Sequence, residues 1–217
     1  MRLFVLIVIC FTILSCKETP KEKSIETVTS DEKVVKADDS RYPETLQKIF
    51  KAHGGLTTWK AKRVLSFEMP RKEKTEKHTI DLYFRNEKIE MPGITMGSNG
   101  SDIWLLDAKG EYKGDAVFYH NLMFYFYAMP FVLSDDGIQY SESEPLEYEG
   151  VSYPGIRISY DDGVGLSSKD EYFVHYNAET FQMEWLGYTV TFRSGEKSDN
   201  IKWIRYNDWM TVDGLKL

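Results

Sequence analysis

The chain of 217 residues carries 34 acidic against 27 basic side chains and a formal net charge of −7, which argues against a nucleic-acid-binding protein. A surface for phosphates needs clustered Lys and Arg, whereas here the basic residues are scattered along the chain. The one dense basic patch, residues 71–77, is interrupted by Glu73 and Glu76 and is predicted to be a solvated hairpin tip.

Residues 1–15 have the pattern of a signal peptide. Arg2 is followed by an unbroken apolar run over residues 3–13, and Ser15 directly precedes Cys16. The run is shorter than the roughly 20 residues of a transmembrane helix, so we expect it to be removed. The resemblance to bacterial lipoproteins implies that Cys16 becomes the first residue and carries a diacylglycerol. The alternative is an ordinary secretory signal whose cysteine happens to lie near the cleavage site.

Lipidation of Cys16 predicts a protein held on a membrane. Because two or three acyl chains anchor stably, we expect a cell-envelope lipoprotein, on the outer membrane and facing the periplasm. Lys17 and Glu18 resemble short charged signals that route some lipoproteins of the Bacteroidetes to the cell surface, which is the alternative location. Cys10 lies in the removed segment, so no disulfide is expected and the fold depends on its core.

Residues 16–39 are predicted to be the lipidated cysteine and a flexible tether, because after the cysteine they are polar and contain no aromatic residue. Residues 40–217 are predicted to form one domain and to remain monomeric. The domain starts with an amphipathic helix that has Pro43 in its first turn and is stopped by Gly54 and Gly55. Its apolar stripe consists of Tyr42, Leu46, Ile49, Phe50 and His53. Residues 56–60 are expected to add one turn that places Trp59 under this helix.

Beyond Arg63 the apolar pattern changes to period two, which is typical of strands. Leu65, Phe67 and Met69 are expected on one face, followed by Ile80, Leu82 and Phe84. Further strands are predicted over residues 88–91, 102–106, 139–149, 151–160, 170–176, 182–192 and 200–210. The sequence therefore predicts a mainly β (α+β) fold: a single curved antiparallel sheet or open half-barrel, with one N-terminal helix and an aromatic helix in its concavity.

The aromatic helix is predicted over residues 116–129, which contain no formal charge and are followed by Pro130. A helix that is apolar nearly all round must be buried on more than one side. This stretch is either core alone, or core that also leaves an apolar slot for a hydrophobic ligand. Helical and strand phase place five residues at such a slot: Trp104, Phe118, Leu122, Phe126 and Met129.

Catalytic and metal-binding motifs are not found in the sequence, and neither a cofactor nor a metal is expected. The four histidines do not occur in metal-site spacings. His53 is interpreted as a structural histidine at a helix C-terminus, favoured by the helix dipole and packed on Trp59. The alternative is a ligand or proton carrier. A hydrolase with a dispersed site would most readily use His120.

Two groups of motifs carry a family resemblance. The lipobox, the tether, the run His53-Gly54-Gly55 with Trp59, and Leu65-Ser66-Phe67 resemble an uncharacterised family of lipoproteins from the Bacteroidetes. Residues 172–180, and residues 206–209 with 212–214, look like the LolA/LolB group of lipid and lipoprotein carriers, although Asn177 stands where that group has Asp. This second likeness implies an open half-barrel with a cavity for acyl chains. The group's pattern continues with at least one more strand, so the resemblance also predicts a C-terminal truncation that would leave residues 200–210 as an exposed edge.

The sequence therefore favours a non-enzymatic, membrane-anchored lipoprotein that binds a lipid or an acyl chain. The alternative is an interaction or structural lipoprotein of the envelope. Exposed Tyr and Trp on the outer face of the sheet would favour this alternative. A hydrolase is the third hypothesis, and it predicts a carboxylate or histidine with a shifted pKa in a cleft.

Overall fold

The computed structural model describes residues 37–71 and 74–217. The predicted signal peptide, Cys16 and most of the predicted tether lie outside these residues. The described chain forms two five-stranded antiparallel sheets, a short two-stranded hairpin and a few helices, and the sheets do not close into a barrel. The predicted mainly β, curved antiparallel class is confirmed. No helix in the described part is long and apolar enough to cross a membrane.

Two helices open the domain: α1, Glu44–Ala52, and α2, Leu56–Lys60. Pro43 occupies the N-cap of α1, and the predicted stripe is buried. Phe131, from later in the chain, lies between two rings of these helices. It stacks on Trp59 at 4.9 Å and on Phe50 at 6.3 Å between centroids. These contacts fix α1 and α2 to the main core.

The first sheet is a meander of five strands in sequence order. Its strands are β1 Val64–Pro70, β2 Thr75–Asp81, β3 Glu87–Met91, β4 Ile94–Ser98 and β5 Ile103–Leu106. The period-two pattern located β1, β3 and β5, overlapped β2 only at its end and did not locate β4. The prediction that Phe84 continues the inner face of β2 is wrong: Asp81 accepts hydrogen bonds from the Tyr83 and Phe84 amides and turns the chain, leaving Phe84 60% exposed.

The aromatic segment, residues 116–134, is not one helix as predicted. It comprises α3 Ala116–Tyr119, α4 Leu122–Tyr127 and a 3-10 turn, Phe131–Ser134. Asp115 caps α3, and the chain breaks at Asn121, whose φ of 58° is left-handed. The Glu87 carboxylate of the first sheet accepts a hydrogen bond from the Asn121 amide, so a side chain from another element binds at the break.

The second sheet has the order β10-β9-β8-β7-β6. Its strands are β6 Ile138–Tyr148, β7 Val151–Tyr160, β8 Tyr172–Tyr176, β9 Met183–Tyr188 and β10 Lys202–Arg205. The aromatic segment thus stands in the chain between two five-stranded sheets. β10 lies at an edge, and a hairpin of β11 Thr211–Val212 and β12 Leu215–Lys216 follows it. The main core joins α1, the second half of the aromatic segment and the inner face of the second sheet.

Candidate functional site

The first half of the aromatic segment forms one wall of a cavity of about 450 Å³. This volume lies within the roughly 300–1,000 Å³ typical of small-molecule sites. The opposite wall comes from the ends of β7 and β8 and from the loop between them. Apolar and aromatic side chains dominate the lining, among them Phe118, Leu122, Tyr125, Ile138, Tyr172 and Phe192. We call this space the cavity.

Two of the five predicted slot residues, Phe118 and Leu122, line the cavity. The other three do not: Met129 is fully buried in the core, Phe126 packs on Tyr188 at 5.1 Å between centroids, and Trp104 covers Gly97 in the first sheet. The prediction used a continuous helical phase. Because the segment breaks at Asn121, Phe126 and Met129 face the core instead. Trp104 lies on β5, which does not line the cavity.

Asp170 is a half-buried carboxyl group at the cavity wall. It stands just before β8, and its Oδ1 accepts a hydrogen bond of 2.6 Å from the Thr191 amide. Burial raises the pKa of Asp170 above its usual range, and the hydrogen bonds from Thr191 and Ser167 offset part of this effect. The sequence analysis placed Asp170 at the start of a predicted strand, residues 170–176, and did not identify it as a candidate site residue.

Asp135 lies at another point of the wall and has a cationic partner. Arg85 Nη2 is 2.5 Å from Asp135 Oδ1. Burial raises the pKa of Asp135, while the nearby Arg85 guanidinium acts to lower it. Asp136, also on the wall, is almost fully exposed and pairs with Arg41 at 3.2 Å. Each of these two carboxylates is therefore already neutralised by an arginine.

Three tyrosines line the cavity. The hydroxyls of Tyr125 and Tyr160 hydrogen-bond to each other. The Tyr172 hydroxyl has no hydrogen-bond partner among the described residues. Burial raises the pKa of all three, so they stay protonated and present neutral donors and acceptors.

His120, the residue singled out for a hydrolase, also lies on the cavity wall. Its Nδ1 is 2.6 Å from the Val117 carbonyl oxygen, and since a carbonyl only accepts, Nδ1 carries the proton. Residues 37–71 and 74–217 contain no group of three or more His, Cys, Asp or Glu arranged to hold a metal ion.

His53 is fully buried, and both of its ring nitrogens are bonded to backbone. Nδ1 lies 3.2 Å from the Lys216 carbonyl, and Nε2 accepts the Met183 amide at 3.0 Å. Burial lowers the pKa of His53 to about 4, so the ring is neutral near pH 7. The predicted stabilisation by the helix dipole, which needs a charged ring, is therefore wrong. So is the predicted packing on Trp59, because the ring packs edge-on against Trp209 at 4.5 Å.

Gly54 lies directly against the backbone of the C-terminal hairpin. Its φ is +107°, and a Cβ built on it would fall 2.2 Å from the Gly214 carbonyl oxygen. Beside it, the Lys216 amide donates to the His53 carbonyl at 2.9 Å. Two motifs that carried separate resemblances, His53-Gly54-Gly55 and residues 212–214, are thus in contact. We call residues 53–55 with 214–216 the clamp.

A buried acidic cluster was missed by the sequence analysis. His78 Nδ1 lies 3.1 Å from Glu87 Oε1, and the Tyr119 hydroxyl donates to Glu76 Oε2 at 2.6 Å. The expectation of a solvated tip over residues 71–77 is wrong for Glu76, which is only 8% exposed. The signal was present, since residues 76, 78 and 80 alternate on one face of β2. This cluster ties the start of the aromatic segment to the first sheet.

A cluster of aromatic residues lies on the face of the second sheet that is opposite the core. Trp203 is 41% and Tyr148 is 38% exposed, and Trp185 lies beside Tyr148 with ring centroids 4.7 Å apart. The Arg205 guanidinium covers both Tyr148 and Trp185, at 5.6 and 5.4 Å from their centroids. These are the exposed rings that an interaction lipoprotein would use.

Comparison with models of protein families gave no match to this chain, and comparison with curated proteins gave none either.

Proposed function

We propose that the chain is a membrane-anchored, non-enzymatic lipoprotein that binds a hydrophobic molecule, such as a lipid or an acyl chain, in the cavity. The observation that carries the proposal is a space of about 450 Å³ walled by the uncharged first half of the aromatic segment. The anchor at Cys16, an envelope location and a LolA/LolB-like carrier fold remain parts of this proposal.

The lining supports a hydrophobic ligand rather than a polar one. Phe118 and Phe192 lie with ring centroids 5.0 Å apart, and Leu122 and Leu166 add aliphatic surface. Burying apolar ligand surface here contributes about 25 cal/mol per Å². The few polar groups stand among these side chains, which is the usual arrangement for fixing a ligand's orientation.

The test uses a fragment of residues 34–217, which contains every residue of the core, the clamp and the cavity. The fragment is purified without detergent from a bacterial periplasm and examined by native mass spectrometry, before and after addition of dodecanol or phospholipid. We expect a lipid-sized adduct or uptake of an added chain. Leu122→Glu should abolish it, because a charge would then lie in the apolar wall.

The matched control is Leu106→Glu, the same change at a leucine that is 65% exposed and outside the cavity. We expect this variant to bind as the unchanged fragment does. A clean apo mass with no uptake of either added molecule would contradict the proposal, as would equal loss in the two variants.

A second candidate is an interaction lipoprotein that binds a partner through the exposed aromatic group at Tyr148 and Trp203. The observation in its favour is the exposure of both rings beside Arg205. If this is the function, Trp203→Ala weakens cross-linking to envelope components while Leu122→Glu leaves it unchanged. The reverse pattern would exclude this candidate.

A further inference from the structure

The charged groups of the cavity are all of one sign. Three carboxyl groups line it, Asp135, Asp136 and Asp170, and no Lys or Arg among the described residues does. A carboxylate or phosphate headgroup placed here would lose its hydration and meet no cation. An anion without a cationic partner is unfavourable at such a wall, and a carboxylate beside it that has no arginine partner adds repulsion.

Only one of the three carboxyl groups lacks a cationic partner. Asp135 pairs with Arg85 and Asp136 with Arg41, whereas no ion pair within the described chain involves Asp170. The neighbouring Lys169 points its ammonium to the Gly195 carbonyl instead. Burial accordingly raises the pKa of Asp170, as expected for a carboxylate without a compensating charge.

Neutral groups that suit a cation line the same cavity as Asp170. Tyr172 follows it by two residues, also lines the cavity, and has a hydroxyl without a partner among the described residues. Aromatic rings such as that of Phe118, which also lines the cavity, can attract ammonium groups. The Asp170 carboxylate is held in place by the Thr191 amide and does not need to reorganise.

Resting on the function proposed above, we infer that the cavity selects hydrophobic ligands whose polar end is a protonated amine, and that Asp170 binds this amine. The ligand class is thus an amine-bearing amphiphile. A ligand with an uncharged headgroup should bind with lower affinity than the amine, and a ligand with a carboxylate should bind with the lowest affinity.

Three probes with the same alkyl chain isolate the headgroup: dodecylamine, dodecanol and dodecanoate, titrated into the residue 34–217 fragment below their aggregation limits. We expect the amine to bind most tightly, by about tenfold or more over the alcohol, because a charged hydrogen bond is stronger than a neutral one. Dodecanoate should bind more weakly than the alcohol.

Asp170→Asn keeps an oxygen that can accept from the Thr191 amide, and it removes the charge and the second acceptor oxygen. We expect it to weaken dodecylamine binding by about tenfold or more and to leave dodecanol binding unchanged. Asp199→Asn, at an exposed acidic residue outside the cavity, is the control for net charge and should change neither.

The pH dependence of binding gives a second readout. As the pH falls through the pKa of Asp170, the carboxyl group becomes neutral and dodecylamine affinity should decrease, while dodecanol affinity stays level. His120, Asp135 and Asp136 share the cavity, so the profile is compared with that of Asp170→Asn.

The outcomes separate the two proposals. If none of the three probes binds, the proposed function itself fails. If dodecanol or dodecanoate binds as tightly as the amine, or if Asp170→Asn leaves amine affinity and its pH profile unchanged, the amine inference is overturned while hydrophobic binding stands.

Discussion

The clamp and the cavity each bury an ionisable side chain, and the two differ in how its polar atoms are satisfied. In the clamp, burial lowers the pKa of His53 to about 4, and the neutral ring has a backbone partner for each nitrogen. In the cavity, burial raises the pKa of Asp170, and its carboxylate has no cation. A buried polar group whose atoms all have partners within the protein stabilises the fold. A buried charge that lacks a partner can bind a ligand instead. The two regions should therefore respond separately to substitution.

The largest expected effect is on the clamp. Gly54→Ala and Gly55→Ala both introduce a side chain at positive φ, at +107° and +87°, but only the first would place Cβ against backbone, 2.2 Å from the Gly214 oxygen. We expect Gly55→Ala to lower the free energy of unfolding by about 1–3 kcal/mol. Gly54→Ala should lower the free energy of unfolding by about 2 kcal/mol more than Gly55→Ala does, because the hairpin backbone must shift.

Urea denaturation of the two variants measures this difference directly. Equal losses would mean that the contact between Gly54 and Gly214 contributes nothing beyond the φ requirement.

The next effect is a pH dependence of stability caused by His53. The folded-state pKa of about 4 lies below the ordinary value of 6.5, so the unfolded chain binds the proton more readily. Stability is then fully present above pH 6.5 and is lost as the pH falls towards 4, by about 3 kcal/mol. His53→Gln, which does not titrate, should lose this part of the pH dependence. Identical profiles for the two proteins between pH 6.5 and 4 would contradict the assignment.

The smallest effect on stability is expected in the cavity. Phe118→Ala removes a half-buried ring of the wall, so we expect about tenfold weaker binding of dodecanol with less than about 1 kcal/mol lost from the free energy of unfolding. Phe84→Ala, at an exposed ring in the turn after β2, is the matched control and should affect neither quantity by much. A large loss of stability in Phe118→Ala, with ligand affinity unchanged, would place this residue in the core instead.

The sequence predicts the parts of the fold that depend on local pattern. The stripe of α1 and the strands around the turns follow from hydrophobic periodicity and from the turn residues. The predicted burial of residues 116–129 is wrong for most of that stretch, because only Phe124, Ala128 and Met129 are buried. The turn after Asp81 could have been recognised as well, because an aspartate that caps its own turn is a local signal.

The parts that failed depend on contacts between residues far apart in the sequence. The Asn121 break, which removes Phe126 and Met129 from the cavity, is stabilised by Glu87 of β3. The contact between Gly54 and Gly214 joins the two ends of the domain, and neither motif indicates the other. Asp170 was predicted only as the first residue of a strand, and its place on the cavity wall depends on packing against residues far away in the sequence.

The most direct test locates the ligand. Methyl NMR signals of Leu122, on the cavity wall, and of Leu215, buried in the clamp, are followed while dodecanol is titrated into the residue 34–217 fragment. We expect the Leu122 methyl signals to shift in a saturable way while those of Leu215 stay in place. Shifts at Leu215 with an unchanged Leu122, or no saturable shift at either, would contradict the division of the molecule into a closed clamp and a ligand-binding cavity.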